Sequence, residues 1–209
     1  MRISWRAGAV VAMVGLVLQG CAHSNIARYS EGKPELVIEE FFSGTTTAIG
    51  TVSNRSGQVI RRFRARAIGS WSEADRTITV EETWYWDDGS VEPRLWRWEK
   101  LGDGRWRGFE DDLTGPATGV ASGNTVHWKY AMGVDTNDYG RLTVSADDVM
   151  HLVDENNIVN LVDMYFFGFY VGQVVLHIQR GDDRRIEPWP PRPEAVGSRR
   201  GAPLKVSKM

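Results

Sequence analysis

The feature that most constrains this chain is its punctuation. Turn-forming clusters of Gly, Asn, Asp, Ser and Pro fall at 54–57, 69–75, 87–89, 102–104, 114–116, 122–124, 133–140, 154–157 and 168–172. The runs between them are rich in Val, Ile, Thr and aromatic residues. Turns about ten residues apart, separating short β-prone runs, mark an all-β meander closed as a barrel or packed as a sandwich. No stretch sustains a helical period, and there is no internal repeat. The segment 158–167 carries apolar residues on both faces, so it reads as a short helix or as a strand buried on both sides.

Two adjacent turns fix a register. Asp87-Asp88-Gly89 and Gly102-Asp103-Gly104 each end in a glycine suited to the left-handed position of a three-residue hairpin loop. In the first hairpin 86 then pairs with 90, 84 faces 92, 82 faces 94, 80 faces 96 and 78 faces 98. In the second, 101 faces 105, 100 faces 106 and 98 faces 108. Side chains alternate between faces, so Ile78, Val80, Glu82, Trp84, Trp86, Arg94, Trp96, Trp98, Trp106 and Gly108 share one face. That aromatic face points inward. The odd positions, among them Thr77, Thr79, Glu81, Thr83, Arg97, Glu99, Arg105 and Arg107, suit water. Gly108 opposite Trp98 leaves room for a large ring, and Pro93, which cannot donate to a ladder, implies a bulge or a free edge.

Two charges, Glu82 and Arg94, interrupt the inward face directly opposite each other. A buried ion pair is costly to desolvate, so it either orders the barrel or serves a ligand. On the second reading Arg94 meets an anionic head group and the tryptophans line the apolar part. Later strands add further inward faces. Val126, Trp128, Tyr130 and Met132 form one, Leu142, Val144, Ala146, Asp148, Met150 and Leu152 a second with another acid, and Val174, Leu176 and Ile178 a closing one.

Rival constellations are weaker. In the run Arg61, Arg62, Arg64 and Arg66, alternation sends Arg62, Arg64 and Arg66 to a solvated outer face and Val59, Phe63, Ala65 and Ala67 inward. Asp147 and His151 share a face near Asp154, but a zinc or calcium site needs further donors that the spacing does not supply. His127 and His177 fall on outward positions without a visible catalytic partner. No metal site, cofactor or catalytic motif is expected.

The amino terminus gives an address. Arg2 and Arg6 precede an apolar run over 7–18 and small residues before Cys21, the order of a secretory signal. The run is shorter than the roughly 20 residues that span a bilayer. Leu18-Gln19-Gly20-Cys21 resembles the bacterial lipobox, which makes Cys21 a lipidation site, and by resemblance to the Gram-negative sorting pattern Ala22 directs the protein to the outer membrane, facing the periplasm. The expected organisation is a lipoprotein signal peptide at 1–20, a lipidated tether at 21–33, one barrel domain at 34–180, and a disordered, basic, proline-bearing tail at 181–209. The formal charge of −2 becomes more acidic once Arg2 and Arg6 are removed, which argues against nucleic acid as a partner. The single cysteine allows no internal disulfide. Oligomeric state is not legible.

Several of these residues resemble a known family. Glu82 with Trp84 and Asp87-Asp88-Gly89, Arg94 with Trp96, Gly123-Asn124 with Trp128 and Tyr130, Asp147-Asp148, Asn160, Gly168 and 172–178 are similar to the DUF3833 family of proteobacterial lipoproteins. Phe41-Phe42 with Gly44, and Gly57 with Arg62-Phe63, extend the resemblance over roughly 35–180. The family has no established activity, and the likeness implies a lipoprotein with a single antiparallel up-and-down, lipocalin-like barrel. Where the family continues the paired aspartates with Trp and an aromatic, Val149 and His151 stand here. The expected function is that of an envelope lipoprotein binding a lipid or other apolar ligand through Glu82, Trp84, Trp86, Arg94, Trp96, Trp98, Trp106, Trp128, Tyr130, Asp148 and Asn160. The alternatives are a lipid-modifying enzyme using Glu82 or Asp148 as acid or base, and a purely structural envelope protein.

Overall fold

The computed structural model describes residues 25–136, 140–181 and 189. Cys21, the signal segment, and the tail apart from Gly181 and Trp189 lie outside the described residues. Ten strands run in chain order: β1 (Gly44–Asn54), β2 (Val59–Ser72), β3 (Thr77–Trp86), β4 (Val91–Gly102), β5 (Arg105–Phe109), β6 (Ala117–Ser122), β7 (Thr125–Thr136), β8 (Gly140–Asp154), β9 (Asn157–Phe166) and β10 (Phe169–Arg180). Each pairs antiparallel with its sequence neighbours and β10 pairs with β1, giving the expected closed, lipocalin-like up-and-down barrel. Closure leaves no continuous open sheet edge. Among the described residues no helix is long and apolar enough to cross a membrane.

The first hairpin has the expected register, with Trp84 opposite Glu92, Glu82 opposite Arg94, Val80 opposite Trp96 and Ile78 opposite Trp98. In the second, Trp98 faces Gly108 and Lys100 faces Trp106, but a shift between Lys100 and Gly102 sets Gly102, rather than Leu101, against Arg105. Leu101 is the extra residue. Pro93 stands in regular register with Thr83, and its other side is free because β5 joins β4 only from Arg97 to Gly102. The gap beyond short β5 is covered by the 110–116 loop, where Leu113 bridges to Met132 and the Gly133 N–H donates to the Asp112 carbonyl at 2.8 Å.

The segment 158–167 resolves as strand β9, and it alternates instead of burying both faces. Ile158 and Asn160 are buried while Val159 is exposed. On β2, Phe63, Ala65 and Ala67 point inward as expected, but Val59 is 51% exposed. A register shift between Val52 and Ser53 of β1 changes the pairing there, setting Val52 against Arg61 and Ser53 against Val59. Such bulges reverse the face on which later residues emerge. Arg61, on the near side of the bulge, keeps the inner face it shares by alternation with Phe63.

In an up-and-down barrel successive hairpins alternate between the two ends. One end is capped by the chain that precedes β1. The helix α1 (Ile38–Phe41) and Phe42 bury Ile38, Phe41 and Phe42 beneath the 72–77 and 102–105 turns, with the Phe42 ring edge-on to Trp98 at 5.0 Å. Gly69 makes this seat possible, since a Cβ there would stand 1.7 Å from the Phe42 carbonyl oxygen. Lys100 and Glu39 tie the cap to β4. Within the segment read as a tether, Ile26–Tyr29 form a 3-10 turn at this same end, with the Tyr29 ring 5.1 Å from His151. The Leu36 N–H donates to the Gly123 carbonyl at 2.9 Å. The opposite end carries the 55–58, 87–90, 110–116 and 167–168 loops and has no such cap among the described residues.

Candidate functional site

The barrel holds an internal cavity of about 400 Å³, within the range of small-molecule sites. Phe42 forms its floor at the capped end, and Asp112, Asp135 and Arg141 stand at the other. Of the residues singled out in the sequence, Glu82, Trp84, Trp86, Arg94, Trp96, Trp98, Trp128, Tyr130, Asp148 and Asn160 line this space. Trp106 does not. Its ring is buried in the core near the capped end, beside Trp71 at 6.3 Å, because β5 has only just left its turn at this position.

The walls are aromatic and ordered by one another. Phe63 stacks on Trp84 at 4.3 Å, Trp98 lies 5.4 Å from Trp128, and Trp96 meets Tyr130 edge-on at 5.9 Å. Gly119 and Gly108 leave the room that the Trp128 indole occupies, since a Cβ on Gly119 would stand 2.7 Å from that ring.

The polar side chains are arranged differently from the expected pair. Arg94 faces Glu82 across the ladder but turns to Glu92, donating from Nε at 2.9 Å and from Nη2 at 2.6 Å. Glu92 also accepts from the Trp86 indole at 2.9 Å. Glu82 instead accepts the Trp84 indole N–H at 2.7 Å, and burial pushes its carboxyl above the usual range despite that bond and the charge of Arg94. Opposite, Asp148 accepts from Tyr130 Oη at 3.0 Å and from Asn160 Nδ2 at 2.6 Å. Burial is again the largest influence and lifts Asp148 to about 6. The same burial, with the adjacent carboxylate, holds the Tyr130 phenol well above its ordinary value.

Arg61 and Glu92 also line the cavity and were not expected there. The Arg61 guanidinium lies 3.7 Å over the Trp86 ring and donates to Asp88 at 3.0 Å and Ser90 at 3.3 Å. Burial lowers its pKa. Alternation from Phe63 reaches Arg61, and the pairing of 84 with 92 reaches Glu92, so both signals stood in the sequence. Asp112, Asp135 and Arg141 come from loop ends and a long strand, where alternation carries no such signal.

On the outer wall the histidines do have partners. His127 contacts Asp147, His151 Nδ1 lies 2.9 Å from Thr125 Oγ1, and His177 Nε2 lies 2.7 Å from Asn157 Oδ1. Among the described residues no group of three His, Cys, Asp or Glu side chains could hold a metal.

Comparison with known proteins places this architecture. An S-type phycobiliprotein lyase from Guillardia theta is similar over 74% of this chain and 97% of its own, at 12% identity and a TM-score of 0.52. A DUF3598 protein of unknown function from Nostoc punctiforme matches over 70% of this chain and 50% of its own, at 7% identity and a TM-score of 0.49. No curated protein matches the sequence. The model of the DUF3833 family, described as proteins of unknown function, matches residues 15–180. The chain belongs to the DUF3833 family.

Proposed function

We propose that this protein is an envelope lipoprotein whose barrel binds a lipid or other apolar small molecule. The observation that carries the reading is the internal cavity, walled by Trp84, Trp96, Trp98, Trp128 and Tyr130 and closed at one end by Phe42. A core packed for stability alone fills such a space, because each unfilled volume forfeits contacts. The buried carboxyl groups of Glu82 and Asp148 point the same way, since ionisable groups shifted by burial within a cleft cluster at functional sites.

Lipidation at Cys21 would anchor the protein to the outer membrane, facing the periplasm. Asn25 follows Cys21 by four residue steps, a reach of at most about 14 Å. Asn25 opens the 3-10 turn at the capped end of the barrel. The cavity would then open away from the anchoring bilayer, which favours a ligand taken from the periplasmic side over one drawn from the same leaflet.

The test is to extract the full-length protein from membranes in mild detergent, recover bound molecules in organic solvent and identify them by mass spectrometry. Titration of the emptied protein with an apolar fluorescent probe follows. A stoichiometric amphiphile, or saturable probe binding that Trp96→Ala weakens, is expected. A protein that carries nothing and binds no probe refutes the reading. Cys21→Ser should abolish incorporation of labelled palmitate. A lipid-modifying enzyme remains a second reading because both Glu82 and Asp148 are held above their ordinary pKa. It requires that Glu82→Gln and Asp148→Asn alter cellular lipid profiles while the protein still accumulates.

A further inference from the structure

Charge inside the barrel is unevenly matched. Five carboxylates and three guanidinium groups line the cavity. Every arginine is already engaged: Arg61 with Asp88, Arg94 with Glu92, and Arg141 with Asp112 and Asp135. Among the described residues no cationic group lies within salt-bridge distance of Glu82 or Asp148. Each is held only by neutral donors, the Trp84 indole for the first and the Tyr130 hydroxyl and Asn160 amide for the second.

These two carboxylates stand on β3 and β8, on opposite sides of a ten-stranded barrel, with aromatic rings between and around them. An anionic head group entering this space would meet arginines already paired with carboxylates and two further carboxyl groups that carry no compensating cation. A cationic group would meet two carboxyl groups that lack a salt-bridge partner, beside the aromatic rings of Trp96 and Tyr130, a combination that binds ammonium ions, whereas the Trp84 ring is already stacked by Phe63 at 4.3 Å and lies 5.4 Å from the Arg94 guanidinium. We infer that the ligand is an apolar or amphiphilic molecule bearing a positively charged nitrogen, seated between Glu82 and Asp148 against Trp96 and Tyr130. The inference rests on the cavity being a ligand site and specifies what that site selects. It replaces the expectation that Arg94 receives an anionic head.

Selection of this kind depends on pH. The groups facing Asp148 are Tyr130 from β7 and Asn160 from β9, with Asp147 on its own strand and Glu82 and Arg94 across the cavity. None supplies a free cation, so a bound ammonium would favour the ionised carboxylate, and protonation would weaken binding as pH falls through about 6.

The experiment titrates the emptied, full-length protein with four amphiphiles of one chain length below their micellar concentrations, followed by tryptophan fluorescence. They are dodecyltrimethylammonium, dodecyl sulfate, the neutral dodecyl maltoside and dodecylphosphocholine. At pH 7.5 the ammonium should bind at least tenfold tighter than the sulfate and the maltoside, and its advantage over the maltoside should shrink severalfold at pH 5. Asp148→Asn should remove most of that advantage while maltoside binding persists, with thermal melts confirming that the variant folds. Glu82→Gln provides a second variant. If dodecylphosphocholine equals the ammonium, the cation belongs to a zwitterionic lipid head; if it binds more weakly, to a free ammonium compound, and both support the inference. Equal or tighter binding of the sulfate overturns it and leaves apolar binding intact. Failure of all four to bind overturns the ligand-site reading itself.

Discussion

Asp148→Asn should stabilise this protein at neutral pH and not in acid. The carboxyl is 6% exposed and has no cationic partner among the described residues, so burial raises its pKa from 3.8 to about 6. The folded state therefore binds this proton more tightly than the unfolded chain does. Its contribution to stability is fully present below pH 3.8 and is lost as pH rises through about 6. At about 1.4 kcal/mol for each tenfold change in proton affinity, the ionised carboxylate costs roughly 3 kcal/mol at pH 7.5. Asparagine keeps an acceptor for one neighbour and gains a donor for the other, so the hydrogen bonds with Asn160 and Tyr130 can be re-formed without the charge. Urea unfolding of wild type and variant between pH 4 and 8 measures the difference directly, and other titrating groups largely cancel in the comparison. The variant should gain about 1 to 3 kcal/mol above pH 6.5, falling toward zero or below near pH 4. A difference that stays flat across this range refutes the claim that Asp148 is held against its preferred protonation state.

Further substitutions probe the frame around the site. Phe63→Ala removes a ring that is 1% exposed and stacked on Trp84, and should cost about 3–5 kcal/mol in denaturant titrations. Gly69→Ala sets a methyl against the Phe42 carbonyl and should loosen the cap, read as a lowered melting temperature and greater quenching of Trp98 by acrylamide. Lys100→Met breaks the partly exposed tie to Glu39 and should lower stability by no more than about 1 kcal/mol in the same titrations.

Much of the barrel was legible in the chain because two local signals agree over most of it. Glycines at the left-handed positions of the 87–89 and 102–104 turns fix where strands reverse, and the period of two then assigns faces. Together they placed Glu82, Trp84, Arg94, Trp96, Trp128, Tyr130 and Asp148 inside before any pairing was known. The signals failed where the period slips. The extra residue at Leu101 displaced the partner of Arg105, and the shift near Val52 turned Val59 outward, because a bulge leaves no mark in composition. Trp106 shows another limit, since alternation gives a face but not a height along the barrel.

Turn chemistry and side-chain alternation are enough to read a β meander, its aromatic inner face and the opposition of Glu82 and Arg94 from the chain. Closure as an up-and-down barrel came from the family resemblance and is completed by the pairing of β10 with β1. Which charges are paired emerges from the folded barrel alone. Arg94 reaches Glu92 on its own strand rather than Glu82 across the ladder, and Asp148 finds neutral donors on two neighbouring strands. The choice among carboxylates a few ångströms apart depends on rotamers and burial, which no linear pattern encodes. It leaves two carboxyl groups, Glu82 and Asp148, facing an aromatic-lined space with neutral hydrogen-bond donors as their side-chain partners.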